Sequence, residues 1–236
     1  MANPYFQFKQ FTVWHDRCAM KVNTDAVLLG AWAPAKNATT ILDIGTGSGI
    51  IAIMLAQRCN AKIRGVELDK NAACQAQENA LKSPWKERIE INHIDFNAFA
   101  NICGTNFDLV VSNPPYFQNS LLNNDVKKQM ARHANTLTSA ELICGVFKIL
   151  TDKGTFAVIL PEEQKGFEQE AAIAGLYCHR KLLVKTLPTK KFTRQLLEFS
   201  KIPILQPALT ELCIHATPKE YSPEYKQLTK NFYLNF

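Results

Sequence analysis

The chain has no stretch approaching the roughly 18 uninterrupted apolar residues that argue for a membrane-spanning helix. Its opening, MANPYFQFKQ, lacks the apolar core of a signal peptide. These two absences exclude a membrane protein and a secreted one from the expectation and point to the cytoplasm. Seven cysteines (18, 59, 74, 103, 144, 178, 213) are odd in number, scattered, and never in a C-x-x-C spacing. That pattern excludes a disulfide frame and a zinc ribbon, so no metal is expected and the thiols read as small, reduced core residues. There is no internal repeat and no low-complexity linker. Acidic residues are missing from one long window, 171–197, which carries Arg180, Lys181, Lys185, Lys190, Lys191 and Arg194.

What is present is enough apolar residue, 47% of 236, to bury one full core, and a single domain is expected. Within it, 1–38 reads as an N-terminal strand and helix cap, 39–160 as a cofactor-binding core, and 161–236 as sheet completion with an RNA-binding surface. A monomer is favoured. The net charge is +6, and the acid-free window accounts for all of it. Such a block is a footprint for a polyanion or, on the blander reading, a solvated set of turns and strand ends.

From residue 40 onward apolar runs alternate with helical patterns. TTILDI (39–44), KIRGVEL (62–68), RIEINHI (88–94), FDLVVS (107–112) and GTFAVIL (154–160) read as strands. GIIAIMLAQRC (49–59), KNAACQAQENALK (70–82) and SAELICGVFKIL (139–150) read as helices. This alternation predicts βαβ units: an α/β fold with a mostly parallel, seven-stranded sheet and helices on both faces. RKLLVKTL, QLLEFSKI and ALTELCIH are expected to finish the sheet as antiparallel strands. FKQFTVWHD looks like a strand, and NTDAVLLGAWA like a helix capped by Thr24.

Open α/β sheets bind ligands at the carboxyl ends of their strands. Asp43, Glu67, Asp95 and Asn113 fall at or just past four such ends. DIGTGSG (43–49) joins the first strand to the first helix, and Gly45, Gly47 and Gly49 permit a sharp turn and close approach to backbone N–H groups. The spacing is G-x-G-x-G, not the G-x-G-x-x-G of a dinucleotide site, and Asp43 precedes it. An acid there repels a pyrophosphate and suits an ammonium. Glu67 is placed to accept two ribose hydroxyls; Asp95 can accept from an adenine amine while the Phe96 ring covers the base. Together these features describe S-adenosylmethionine rather than NAD.

This three-part spacing resembles the Rossmann-like class I methyltransferases over roughly residues 40–160. NPPY, Asn113, Pro114, Pro115 and Tyr116, then resembles the motif of enzymes that methylate an amino group conjugated to a π system: adenine N6, cytosine N4 or a glutamine amide. In that chemistry the Asn113 amide oxygen and the Pro114 carbonyl accept the two N–H groups and the Tyr116 ring stacks on the base. No general base is required, so His15 and His133 read as ordinary hydrogen-bonding histidines.

A protein-glutamine enzyme carries an extra helical domain before the glycine loop, and only 42 residues precede Asp43 here. A DNA adenine enzyme needs a separate recognition domain. A compact chain with a basic block fits a structured RNA better. FTVWHDRCAMKVNTDAVLLGAWAP (11–34), AQENALKSPWKERI (76–89), SNPPYFQ (112–118) and YSPEYKQLTKNFYL (221–234) closely resemble the bacterial tRNA1(Val) adenine-N6 methyltransferases. The resemblance implies methylation of adenine 37 of a tRNA. It also implies that Lys21, Asn23 and Thr24 lie over the cofactor's amino-acid end, and that Arg132 and His133 sit in a substrate-side loop. Asn23 stands where that family commonly has glycine. The polar segment 117–137 is expected to be a lid that orders on RNA, with Lys127, Lys128 and Arg132 on phosphates; Lys190, Lys191 and Arg194 are the expected contacts from the basic block. The runner-up substrates are ribosomal RNA and a protein glutamine. Outside the class stand an NAD-dependent oxidoreductase and a non-catalytic RNA-binding module.

Overall fold

The computed structural model describes residues 3–115 and 137–236. Tyr116, Lys127, Lys128, Arg132 and His133, and with them all of the expected lid but Leu137, lie outside the described residues. In chain order the elements are β1 (Tyr5–Gln7), β2 (Thr12–Trp14), α1 (Thr24–Trp32), β3 (Thr40–Ile44), α2 (Ile50–Arg58), β4 (Lys62–Glu67) and α3 (Lys70–Lys82). Then follow β5 (Ile89–His93), α4 (Phe96–Ile102), β6 (Phe107–Ser112), α5 (Ser139–Ile149), β7 (Leu150–Pro161) and α6 (Phe167–Ile173). The chain closes with β8 (Tyr177–Lys185), β9 (Phe192–Ser200), β10 (Ala208–Cys213), β11 (His215–Thr217), β12 (Glu220–Tyr221) and α7 (Pro223–Thr229).

Local chemistry explains most boundaries. Asp69 and Asp95 sit before α3 and α4 and accept the Ala72 and Ala98 N–H groups at 2.8 and 3.0 Å, satisfying donors that a helix start leaves unpaired. Thr138 and Glu141 form a reciprocal capping box on α5. The cap of α1 differs from the expectation: Asn23, not Thr24, is the extended residue whose side chain accepts the Ala26 N–H, at 2.9 Å. Asparagine does this well because its short amide reaches the third helical N–H.

One eight-stranded sheet runs β10-β8-β9-β7-β6-β3-β4-β5. Strands β5, β4, β3, β6 and β7 are mutually parallel, as expected from the βαβ alternation. The sheet has one strand more than the expected seven, and only β9 runs against the others. The β9–β10 connection, 201–207, carries Pro203 and Pro207 and passes the start of β8, so β10 joins the outer edge parallel to β8. FKQFTVWHD forms no single strand either; it supplies β2 of a separate β1-β2 hairpin.

Side chains alternate between the sheet's faces. Ile41, Leu109, Val111, Ala157, Ile159 and Leu196 join one apolar cluster with α1, α2 and the C-terminal tail. Leu42, Ile44, Val110, Phe156, Val158 and Leu197 join the other with α4, α5 and α6. Asp43 shares the parity of Ile41 and therefore points towards α2. The chain steps from β3 outwards to β5 and returns to β6 on the other side of β3. The point where strand order reverses thus lies between β3 and β6, where such sheets open a crevice.

Candidate active site

The glycine loop is organised from beneath. Asp43 is wholly buried, and its Oδ2 accepts the Thr46 hydroxyl at 2.6 Å and the Ala52 N–H of α2 at 3.2 Å. The acid two residues before the glycines therefore ties the loop to the helix that follows it. Its Oδ1 is buried and has no hydrogen-bond partner among the described residues. Burial pushes the Asp43 carboxyl up to about 7; the bonds from Thr46 and Ala52 pull the other way, and the nearby Glu67 charge adds to the rise. Gly45, Gly47 and Gly49 all have positive φ (67°, 56° and 80°), which favours glycine there. At Gly49 a Cβ would also come within 3.3 Å of the Ala76 Cβ in α3, so that glycine sets how closely α2 and α3 approach.

The neighbouring strand ends complete a rim. Glu67 accepts the Gly47 N–H through Oε2 and the Asp69 N–H through Oε1, both at 2.9 Å. It thereby fixes the glycine loop from the side and keeps a second lone pair on each oxygen for a ligand. On the other side the Ser112 hydroxyl donates to the Ile44 carbonyl at 3.1 Å, in register with the Ile44–Ser112 pair. Gly45 and Asn113 therefore leave the sheet side by side. Prolines at 114 and 115 cannot continue a ladder, so the β6 chain turns out of the sheet at this point.

A cleft of about 470 Å³ opens there, in the size range of small-molecule and cofactor sites. Of the expected residues, Gly45, Glu67, Asp95, Phe96, Pro114 and Pro115 line it together; Ser112, Asp69 and Leu137 are among the others on its wall. Asp43 lies under the loop rather than on the cleft surface, and Asn113 is half-buried beside it. Among the described residues no group of three or more histidine, cysteine, aspartate or glutamate side chains is arranged to hold a metal.

The family model of the methyltransferase small domain matches residues 18–166. A tRNA1(Val) (adenine(37)-N6)-methyltransferase of Bacteroides fragilis is 47% identical over 99% of this chain and 99% of its own. The one from Bacteroides thetaiotaomicron is 48% identical over 100% and 99%. This chain belongs to the tRNA1(Val) (adenine(37)-N6)-methyltransferase family. Among solved structures, a predicted O-methyltransferase from Agrobacterium tumefaciens superposes with a TM-score of 0.66 at 21% identity, covering 88% of this chain and 96% of that one, a likeness of fold.

In this methyltransferase the floor of the cleft depends on a residue that the motifs do not include. Phe96 is buried, and its ring packs directly on Gly145 of α5: a Cβ at Gly145 would stand 2.5 Å from Phe96 Cε1. Gly145→Ala is expected to push the ring towards the cleft and weaken cofactor binding about three- to tenfold. Overpacking of roughly 1–3 kcal/mol outweighs the gain in helix propensity of up to about 1 kcal/mol. Calorimetric titration and a melting curve of the variant check both.

The basic block of this methyltransferase is largely neutralised inside the fold. Arg180 bonds Glu198 and lies over the Trp32 ring at 4.0 Å; Lys181 pairs with Glu168 at 2.6 Å. Lys185 stands 3.9 Å from Glu211. Arg194, expected on RNA, instead bonds the buried Asp25 of α1. Its position two residues before Leu196, on the α1 face of β9, turns it towards α1, where Asp25 occupies its guanidinium. Lys190 and Lys191 are exposed in the β8–β9 turn and make no ion pair among the described residues. That turn follows the carboxyl end of β8, at the same end of the sheet as the cleft. Lys21 is exposed on the segment leading into α1, and Thr24, the first residue of α1, is half-buried.

Proposed function

We propose that this protein transfers a methyl group from S-adenosylmethionine to the N6 amino group of an adenine in tRNA, adenine 37 of tRNA1(Val) being the target that its relatives' names give. The observation that carries the reading is the convergence on one cleft of the glycine loop, Glu67, Asp95 and the Asn113-Pro114-Pro115 turn.

The residues suit the cofactor. The Asp43 charge lies beneath the glycine loop, where it suits an ammonium held above the loop, and the free lone pairs of Glu67 suit the two ribose hydroxyls. Asp95 spends one oxygen on capping α4 and keeps the other for an adenine amine, above the Phe96 ring. S-adenosylmethionine supplies the sulfonium methyl. The chain's own task is to present the amino nitrogen to it. An adenine amine is a poor nucleophile because its lone pair is delocalised into the ring. The Asn113 amide oxygen and the Pro114 carbonyl accept its two N–H groups, which favours the pyramidal geometry with the lone pair directed at the methyl. Tyr116 is assigned to stack on the base. The alkylated nitrogen is acidic and gives up its proton without a dedicated base.

RNA contact falls to Lys190 and Lys191, with Arg132 assigned by family resemblance. Lys190→Ala with Lys191→Ala is expected to raise the tRNA Kd about three- to tenfold and to reduce the salt slope by about 2. Filter binding across a salt series measures both, and an unchanged slope returns the turn to plain surface. The test of the whole reading is transfer of labelled methyl from S-adenosylmethionine to unmodified tRNA, followed by nucleoside chromatography. An N6-methyladenosine peak is expected; label found only in ribosomal RNA or protein overturns the substrate.

A further inference from the structure

One face of α3 does not line the cleft. Gln75, Glu78, Asn79 and Lys82 stand at i, i+3, i+4 and i+7, which is a single stripe along the helix. Gln75 and Asn79 are each only 1% exposed, at positions where a helix packed on a sheet ordinarily carries apolar side chains. Every polar atom of the pair is used, and nearly all are used on one segment. Asn79 accepts the Trp14 N–H at 3.0 Å, donates to the Trp14 carbonyl at 2.8 Å, and donates to the Ser48 carbonyl of the glycine loop at 2.8 Å. Gln75 accepts the Arg17 N–H at 3.0 Å and the Cys18 thiol at 3.1 Å, and donates to the Asp16 carboxylate at 2.6 Å. Glu78 pairs with Arg17, and the Lys82 ammonium lies over the Trp14 ring at 5.6 Å.

The segment so gripped is closed into a loop by a buried histidine. His15 Nδ1 accepts the Val22 N–H at 3.3 Å, which leaves the proton on Nε2, donated to the Asn3 carbonyl at 3.0 Å. Asn23 then caps α1, and Asp25 is held by Arg194 on β9. Residues 15–22 are thus a strap fastened at both ends. Asp16, Arg17, Met20 and Lys21 are exposed along it. It runs beside the glycine loop: the Asn79 amide that bonds the Trp14 carbonyl also bonds that of Ser48, and α3, which carries Gln75, starts at Asp69 on the cleft wall.

We propose that Gln75 and Asn79 are positioning residues that hold the strap 15–22 against the cofactor end of the cleft, joining strap and glycine loop into one unit that retains the cofactor. This rests on the cofactor reading above. Each buried amide left without its partners would cost more than the bonds return, so the strap has one low-energy position.

The experiment uses the full chain with Gln75→Met, which keeps volume and helix propensity and removes the polar atoms. A second variant, Gln75→Glu with Asp16→Asn, exchanges donor and acceptor across the same contact. Three quantities are read: Kd for S-adenosylhomocysteine by calorimetry, KM and kcat for S-adenosylmethionine, and tryptic cleavage after Arg17 and Lys21 by mass spectrometry. Gln75→Met is expected to raise Kd and KM about tenfold, to leave kcat at saturation within about twofold, and to speed cleavage at both sites about tenfold without ligand. The exchanged pair is expected to restore all three. Asp16→Ala, at an exposed position, gives the same direction with a smaller effect should Gln75→Met prove unstable. Unchanged KM together with unchanged cleavage overturns the proposal. A wild type that fails to bind S-adenosylhomocysteine overturns the cofactor reading instead, while the ligand-free cleavage rates still decide whether Gln75 and Asp16 hold the strap.

Discussion

Asn113→Ala is expected to lower kcat for adenine methylation by about 10²–10³-fold while the affinity for S-adenosylhomocysteine stays within about twofold. The magnitude is that of removing one preorganised hydrogen-bonding group aimed at charge that develops only in the transition state. In the resting amine the nitrogen is planar and its N–H groups are weakly polarised; as the new bond forms, positive charge gathers on them. The Asn113 oxygen therefore stabilises the transition state more than the bound base, and its loss falls on kcat rather than on binding. Cofactor affinity is spared because Gly45, Glu67 and Asp95 stand at or just past the ends of β3, β4 and β5, whereas Asn113 hangs from the end of β6. Single-turnover kinetics with saturating tRNA, alongside calorimetry, measures the two quantities. A variant that keeps most of its turnover rules out the assigned role of the amide.

Asp43→Asn is expected to give a protein that is as stable as the wild type or more so, and that binds cofactor about 10–100-fold more weakly. An asparagine oxygen still accepts from Thr46 and Ala52, so the loop keeps its internal bonds. What goes is the charge beneath the glycine loop. A unit charge about 6–10 Å from an ammonium, at an effective dielectric of about 20, contributes about 2–3 kcal/mol, which sets the loss of affinity. The sign of the pH dependence follows from the raised value. A carboxyl that moves from 3.8 unfolded to about 7 folded favours the fold at low pH and loses that contribution as pH rises between those values. Asp108 and Glu141, both lowered by bonds from threonines, work in the opposite direction. The difference between wild type and Asp43→Asn isolates the one residue: the wild type should fall relative to the variant from about pH 4 to pH 7. Binding an ammonium needs the carboxylate, so wild-type cofactor affinity should rise with pH through about 7 and that of the variant should not. Thermal melts and calorimetry in buffers of different ionisation enthalpy would show both, and parallel pH profiles would remove Asp43 from the cofactor site.

The elements that position the cleft are those whose signals are local. A buried strand needs only a short apolar run, a helix start needs an acid or hydroxyl before it, and a strand must stop at consecutive prolines. Hence β3 to β6 and the turn at Asn113 lie close to where the residues place them, whereas β7 starts at Leu150, ahead of the expected 154–160, and the short helix Phe96–Ile102 was not expected. The glycine loop is legible for the same reason, since its conformations are ones that other residues avoid.

The departures come from contacts between residues far apart in the chain. A charge window counts only neighbours in sequence, so Arg194 looked available for RNA, whereas its partner Asp25 is 169 residues away. Gln75 and Asn79 carry no signal beyond their place in the helix 70–82, because nothing local reveals that Trp14 to Cys18 pack against them. Gly145 carried no signal until the Phe96 ring was seen on top of it. The strand parity of Asp43 is in the sequence, but its depth is not, because burial depends on α2 closing over β3. By itself, then, the sequence determined the alternation of strands and helices and the chemistry at their ends, which follow from short-range sterics and backbone hydrogen bonding. Only the tertiary structure decided which charges are spent inside the fold, which way β10 runs and what fastens the strap, because each depends on packing that brings distant segments together.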